Sequence, residues 1–127
     1  MSRLNFLEKY AVDARHYDSS TEIDKALRSP EWEYRASAAK SPLATHDHIN
    51  KALKDHDLDV QYAATENPNL SHNHIQMALT HQEFSFRASV AKHPNATKSQ
   101  ITIALNDENP IVRRAATQNP NYEKYFK

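Results

Sequence analysis

The sequence predicts an all-α chain, an α-solenoid of stacked helical pairs, and three recurrences predict it. Proline stands at 42, 68, 94 and 120, isoleucine at 23, 49, 75 and 101, and Ala-Leu at 26–27, 52–53, 78–79 and 104–105. Each series advances by 26 residues without insertion or deletion. A fixed period of that length marks a supersecondary unit that cannot bury its apolar face alone and so stacks on its neighbours. The expected organisation is a single helical-repeat domain over 1–127. Its copies run 23–48, 49–74, 75–100 and 101–126, behind an N-terminal half-repeat.

The half-repeat is a capping helix over 2–14, where Leu4, Leu7 and Ala11, with Phe6 and Tyr10, supply an apolar stripe. It corresponds to the second helix of a copy. The first helix of each copy opens at a hydroxyl N-cap. Thr45 is followed by Ile49, Ala52 and Leu53 at helical spacing, Ser19-x-x-Glu22 and Thr97-x-x-Gln100 read as capping boxes, and Ser71 holds the same place. The second helix is clearest in the last copy, where Asn109 is the N-cap and Pro110 takes the first helical position, which needs no amide proton. Asp57 caps the equivalent helix, and Glu31 and Glu83 favour theirs by charge.

Tyr34, Val60, Phe86 and Val112 are the expected core positions of these second helices. Ser37-Ala38, Ala63-Ala64, Ser89-Val90 and Ala115-Ala116 continue the same face. Side chains this small let backbones approach closely, so stability has to come from contacts summed between neighbours. Ser41-Pro42, Asn67-Pro68-Asn69, His93-Pro94-Asn95 and Asn119-Pro120-Asn121 end the helices. Asn is the best non-glycine candidate for an awkward turn conformation and helps a chain with no glycine to turn corners. Tyr122, Tyr125 and Phe126 lie where a further copy would begin, as a cover for the open end or an adhesive tail.

Composition narrows function. Sixteen basic and sixteen acidic residues give no net charge, which argues against a general nucleic-acid mat while leaving room for a local patch. The absence of cysteine removes disulfides, thiolate metal sites and cysteine nucleophiles, and suits a cytoplasmic setting. No apolar run is long enough to span a membrane, and the N-terminus turns polar before a secretory core forms. A mean hydropathy of −0.85 is low enough to raise disorder. The strict placement of the apolar residues decides against it.

The string Val112-Arg113-Arg114-Ala115-Ala116-Thr117-Gln118-Asn119-Pro120, echoed at Val60–Pro68 and Phe86–Pro94, resembles the leucine-rich repeat variant and, more broadly, the HEAT-like helical repeats. The resemblance covers 23–121 and implies a curved, right-handed α-solenoid. The chain departs from the family in its longer period and in carrying Ile and Ala-Leu where the family is richer in leucine. Asp107 and Arg113 have the spacing that HEAT-like units use for a buried polar ladder between copies, and Asp55 and Gln61 repeat it. With Arg35 and Arg87 these six form the expected structural ladder. A phosphate-binding row of arginines is the competing reading.

Six residues are candidates for partner binding. Trp32 and Phe84, in one column with Leu58, and Tyr62 either plug the seams between copies or form an exposed aromatic strip. Lys92, Lys98 and Arg114 form a candidate basic patch in the C-terminal half. His46, His48, His72 and His74 recur at the starts of first helices, but an i, i+2 pair does not share a helical face. They read as exposed cap residues, and no metal site is expected. Asp55, Asp57 and Asp59 are explained by capping, and without glycine no phosphate loop can form.

The expected function is therefore a protein–protein interaction module, an adaptor or inhibitor that binds a host or cellular protein through one solenoid face. The alternative is a HEAT-like DNA-binding protein acting through the C-terminal basic patch. No catalytic residue, cofactor, small-molecule substrate or membrane association is expected.

Overall fold

The computed structural model describes residues 19–127, so the helix expected over 2–14 lies outside the described residues. Among the described residues there are nine helices and no strand. Contacts between Cα atoms group the chain into two compact units, Met1–Asn69 and Leu70–Lys127. The first holds α1 (Ser20–Leu27), α2 (Trp32–Ala39), α3 (His46–Leu53) and α4 (Leu58–Thr65). The second holds α5 (His72–Ala78), α6 (Phe84–Ala91), α7 (Lys98–Leu105), α8 (Pro110–Thr117) and α9 (Tyr122–Phe126). First helices begin at 20, 46, 72 and 98 and second helices at 32, 58, 84 and 110, so both series keep the period of the sequence.

Capping fixes where each helix starts. The hydroxyls of Ser19, Thr45, Ser71 and Thr97 accept from the amides of Glu22, His48, His74 and Gln100 at 3.3, 3.3, 3.2 and 3.1 Å. Asp57 and Asn109 cap α4 and α8 by accepting from Asp59 and Ile111 at 2.9 and 2.8 Å. Glu31 and Glu83 make no side-chain cap bond and act by charge alone.

Two cap histidines depart from expectation. His46 and His72 are exposed, but His48 and His74 are buried at 3% and 5% exposure. Each stands three residues past its N-cap, and its Nδ1 accepts from the cap residue's own amide, at 2.9 Å from Thr45 and 3.1 Å from Ser71. Gln100 does the same for Thr97 at 3.0 Å. An imidazole nitrogen reaches back as well as a Gln carbonyl, so these boxes close with His.

Within each unit the core is built from repeated positions. Ile23, Ile49, Ile75 and Ile101 are wholly buried, as are Val60 and Val112, and Phe86 nearly so. Tyr34 breaks the series: it is 42% exposed rather than core. It borders a surface groove lined by Glu22, Lys25, Ala26, Ser29 and Pro30, a place that suits a side chain with an apolar ring and a polar end. In the first unit Ala36, Ala39, Ala52, Val60, Ala63 and Ala64 form one buried cluster, with Leu27, Trp32 and Leu53 packed against it. The small side chains let α2 lie against α4, and α6 against α8 in the second unit.

The Asn-Pro-Asn turns work differently from expectation. No described residue has positive φ. Asn contributes its side-chain amide instead. Buried Asn67 donates to the carbonyls of Ala39 and Ser41 at 2.7 and 2.8 Å and accepts from the Asn69 amide at 2.8 Å. Asn119 repeats this on Ala91, His93 and Asn121 at 2.8, 2.9 and 2.8 Å. Each Asn thus satisfies the last carbonyl of the preceding second helix, a group a helix end leaves unpaired, and one carbonyl of the turn that follows it. The turn that ends one copy is also a clasp on the copy before it.

Candidate interaction surface

Of the six residues expected to form a polar ladder, the structure pairs one arginine with one aspartate in each unit. Arg35 Nε donates to Asp55 Oδ2 at 2.8 Å and Nη2 to Oδ1 at 3.4 Å. Its Nη1 donates to the carbonyls of Ser29 and Pro30 at 2.9 and 3.2 Å. Arg87 meets Asp107 in the same way at 2.9 and 3.2 Å, with His81 and Gln82 as carbonyl acceptors at 2.7 and 3.1 Å. Each arginine therefore pairs with the aspartate of the following copy. Within its own copy the side chain reaches only main-chain carbonyls: Gln61 donates to the Asp55 carbonyl, and exposed Arg113 to that of Asp107 at 2.7 Å.

The chemistry of the second rung follows from its geometry. Burial pushes the Asp107 carboxyl up. The Arg87 hydrogen bond, the Asn109 amide and the charges of Arg87 and Arg113 outweigh it and hold the carboxyl below its ordinary range. The hydrogen bond it donates to Asp107 raises Arg87 in turn; burial works against this, and the charges of Asp107 and Glu108 reinforce it. A polar groove beside this rung is lined by Leu79, Thr80, His81, Gln82, Arg87, Asp107 and Glu108. Arg87 and Asp107 are occupied with one another, and His81 Nδ1 accepts from the Glu83 amide at 2.9 Å. Among the described residues no three His, Asp or Glu side chains gather as a metal site would require, and no helix is long and apolar enough to cross a membrane.

The six binding candidates do not form one surface. Trp32 is half-buried against the core of its unit, and Tyr62 is also half-buried. Phe84 is 40% exposed and Leu58 53%, so the aromatic column is neither a uniform seam plug nor a continuous strip. Lys92, Lys98 and Arg114 are all exposed. Lys98 Nζ lies 5.9 Å from the Phe126 ring, which stacks on Tyr122 at 5.2 Å in α9. In the first unit Lys40 is 3.7 Å from Glu66. The counterparts in the second are Lys92 and Gln118, where the second charge is lost.

A different surface stands out when the outward positions of the first helices are compared. On α1 these are Thr21, Asp24, Lys25 and Arg28, and on α3 Asp47, Asn50, Lys51 and Lys54: a charged, solvated face. On α5 they are Asn73, Gln76, Met77 and Thr80, and on α7 Ser99, Thr102, Ile103 and Asn106. All eight residues of this second set are exposed, and none is charged. Met77 and Ile103, at equivalent places in adjoining copies, are 64% and 43% exposed. The Gln100 amide ties the helices together by donating to the His72 carbonyl at 2.8 Å and to Gln76 Oε1 at 3.3 Å. Depletion of charge around exposed apolar side chains is the compositional mark of an interface centre. The sequence signal for it was column 25, 51, 77, 103, which reads Lys, Lys, Met, Ile.

Comparison with known proteins finds no matching family model, no similar curated protein and no similar solved structure.

Proposed function

We propose that this chain is a non-enzymatic helical-repeat interaction module, similar to the leucine-rich repeat variant and HEAT-like proteins. In this reading its four 26-residue copies stack as a right-handed α-solenoid. Its binding face is the outward side of α5 and α7. The observation that carries the reading is the charge-free exposure of Met77 and Ile103, ringed by Asn73, Gln76, Thr102 and Asn106. An exposed apolar pair gains by being covered, and the outward positions around it are uncharged, Lys98 at the start of α7 being the one Lys, Arg, Asp or Glu in these two helices.

The test is affinity capture from lysate after nuclease treatment, with the wild type beside the double variant Met77→Lys, Ile103→Lys. A captured protein that survives nuclease and is lost with the variant supports the module. Capture that ignores the variant rejects this face. The DNA-binding alternative is supported by the second unit's seven basic against four acidic residues, with Lys92 and Arg114 exposed. It calls for salt-sensitive retention on DNA that weakens in Arg114→Ala.

A further inference from the structure

We propose, resting on the nucleic-acid reading above, that one end of the second unit binds a single strand of nucleic acid. It is the end where the unit's second helices finish and its first helices begin. Phosphates meet the cations there, and bases stack on the rings of α9. The outward positions of α5 and α7 take no part.

Charge separates this end from its counterpart in the first unit. There the first turns of α1 and α3 and the last turns and C-caps of α2 and α4 carry Glu22, Asp47 and Glu66 against Lys40. The same places in the second unit carry Lys92, Lys98 and Arg114 and no carboxylate. To these α9 and its C-cap add Lys124 and Lys127. Among the described residues Lys127 alone of the five pairs with a carboxylate, Glu123 at 3.7 Å. The unit's other acidic residues, Glu83, Asp107 and Glu108, lie where its second helices begin, about 12 Å away along an eight-residue helix. Lys98 also opens α7, where the helix dipole disfavours a cation and favours an anion beside it.

The fold brings these cations and rings together. Lys40 reaches Glu66 at 3.7 Å in the first unit, so Lys92 and Gln118 stand side by side in the second, with Arg114 one turn before Gln118. Asn119 and Asn121, in the turn after α8, donate to the carbonyls of His93 and Pro94, in the turn after α6, both at 2.9 Å. That holds α9 at the start of α7, with Lys98 Nζ 5.9 Å from the Phe126 ring and Lys124 Nζ 5.6 Å from that of Tyr125. Charge alone calls for a polyanion, and the rings choose which one. A ring beside a cation suits an unpaired strand, whose every nucleotide has a face to stack and a phosphate to neutralise. A duplex keeps its bases enclosed. An anionic membrane would need rings free to insert, and here Tyr122, Tyr125 and Phe126 are half-buried, with Tyr122 stacked on Phe126 at 5.2 Å.

The experiment is fluorescence anisotropy of the full chain with a labelled strand of about 12 nucleotides, as DNA and as RNA. The DNA is also offered as a duplex and as an abasic strand, and phosphatidylserine vesicles are tested by co-sedimentation. We expect the DNA or RNA strand to bind with a Kd of about 1–100 µM, its affinity falling with log salt at a slope of about −2 to −3. The duplex and the abasic strand should each bind about tenfold more weakly. The double variant Arg114→Tyr, Gln118→Glu installs what the first unit carries as Tyr62 and Glu66, and gives Lys92 a carboxylate. It should lower affinity about tenfold with an unchanged circular dichroism spectrum. A duplex or an abasic strand that binds as tightly as the intact strand overturns the proposal and leaves the nucleic-acid reading standing. No binding to any nucleic acid, or binding indifferent to the double variant, ends both, and so does binding to the vesicles alone.

Discussion

Arg35 grips Asp55 in the first unit, and Arg87 grips Asp107 in the second, at 2.8 and 2.9 Å. Asn67 clasps the end of α2 as Asn119 clasps that of α6. The likeness extends to sequence. Glu31, Arg35, Ala36, Ser37, Ala39 and Lys40 return unchanged as Glu83, Arg87, Ala88, Ser89, Ala91 and Lys92. Val60, Ala63, Ala64, Thr65, Asn67 and Asn69 return as Val112, Ala115, Ala116, Thr117, Asn119 and Asn121. The first copy therefore matches the third, and the second the fourth, better than neighbours match. The chain reads as a two-copy unit used twice. The surfaces then diverge: Met1–Asn69 has nine basic and twelve acidic residues, and Leu70–Lys127 seven and four. The part held constant is the part that holds copies together, so the divergent part is where function has to be sought.

The largest break in that comparison comes from the rungs. Removing Arg35 or Arg87 leaves a mostly buried carboxylate without its partner and strands two main-chain carbonyls. Arg35→Ala and Arg87→Ala should each cost about 3 kcal/mol in urea unfolding. Arg113→Ala loses one exposed bond to a carbonyl and should cost under about 1 kcal/mol. Equal losses at all three positions would show that the arginine stem, and not the rung, is what matters.

Much of this was legible in the sequence, and the failures have physical causes. Helix starts were readable because capping is local: Thr45, Ser71, Asn109 and Pro110 act within three residues of themselves. The rung partners were not, because the pairing depends on how one copy lies on the next. Six residues separate Asp107 from Arg113 and twenty from Arg87, and only packing selects the latter. Tyr34 failed because periodicity assigns a face, and not whether the face is covered. The uncharged face was not legible because the repeat is carried by its recurring positions, while Met77 and Ile103 stand where the copies differ.

Acid sharpens the comparison at the second rung. Asp107 is held below the ordinary carboxylate value in the folded chain, so the unfolded chain takes up its proton first as pH falls. Its contribution is fully present above about pH 4, where the unfolded carboxyl titrates, and is lost as pH falls through the lower folded value. Urea midpoints measured from about pH 5 down to about pH 2 should fall steeply in the wild type. The fall should be shallower in Asp107→Asn. An unchanged slope would mean that the rung adds no acid dependence.

The smallest effect is expected where the units do one job with different chemistry. His48 and Gln100 both close a capping box and both reach the first helix of the preceding copy. His48 does so through Nε2 to Asp24 Oδ1 at 2.8 Å, and Gln100 through its amide to the His72 carbonyl at 2.8 Å. Because His48 Nδ1 accepts from the Thr45 amide, the neutral ring carries its proton on Nε2, the arrangement that a Gln carbonyl and amide reproduce. His48→Gln should therefore change stability by under about 0.5 kcal/mol, while His48→Ala should cost about 1–2 kcal/mol by opening the box and the contact to Asp24. If Gln proves as costly as Ala, the imidazole has a requirement that capping does not explain, and the equivalence of the two units ends at this residue.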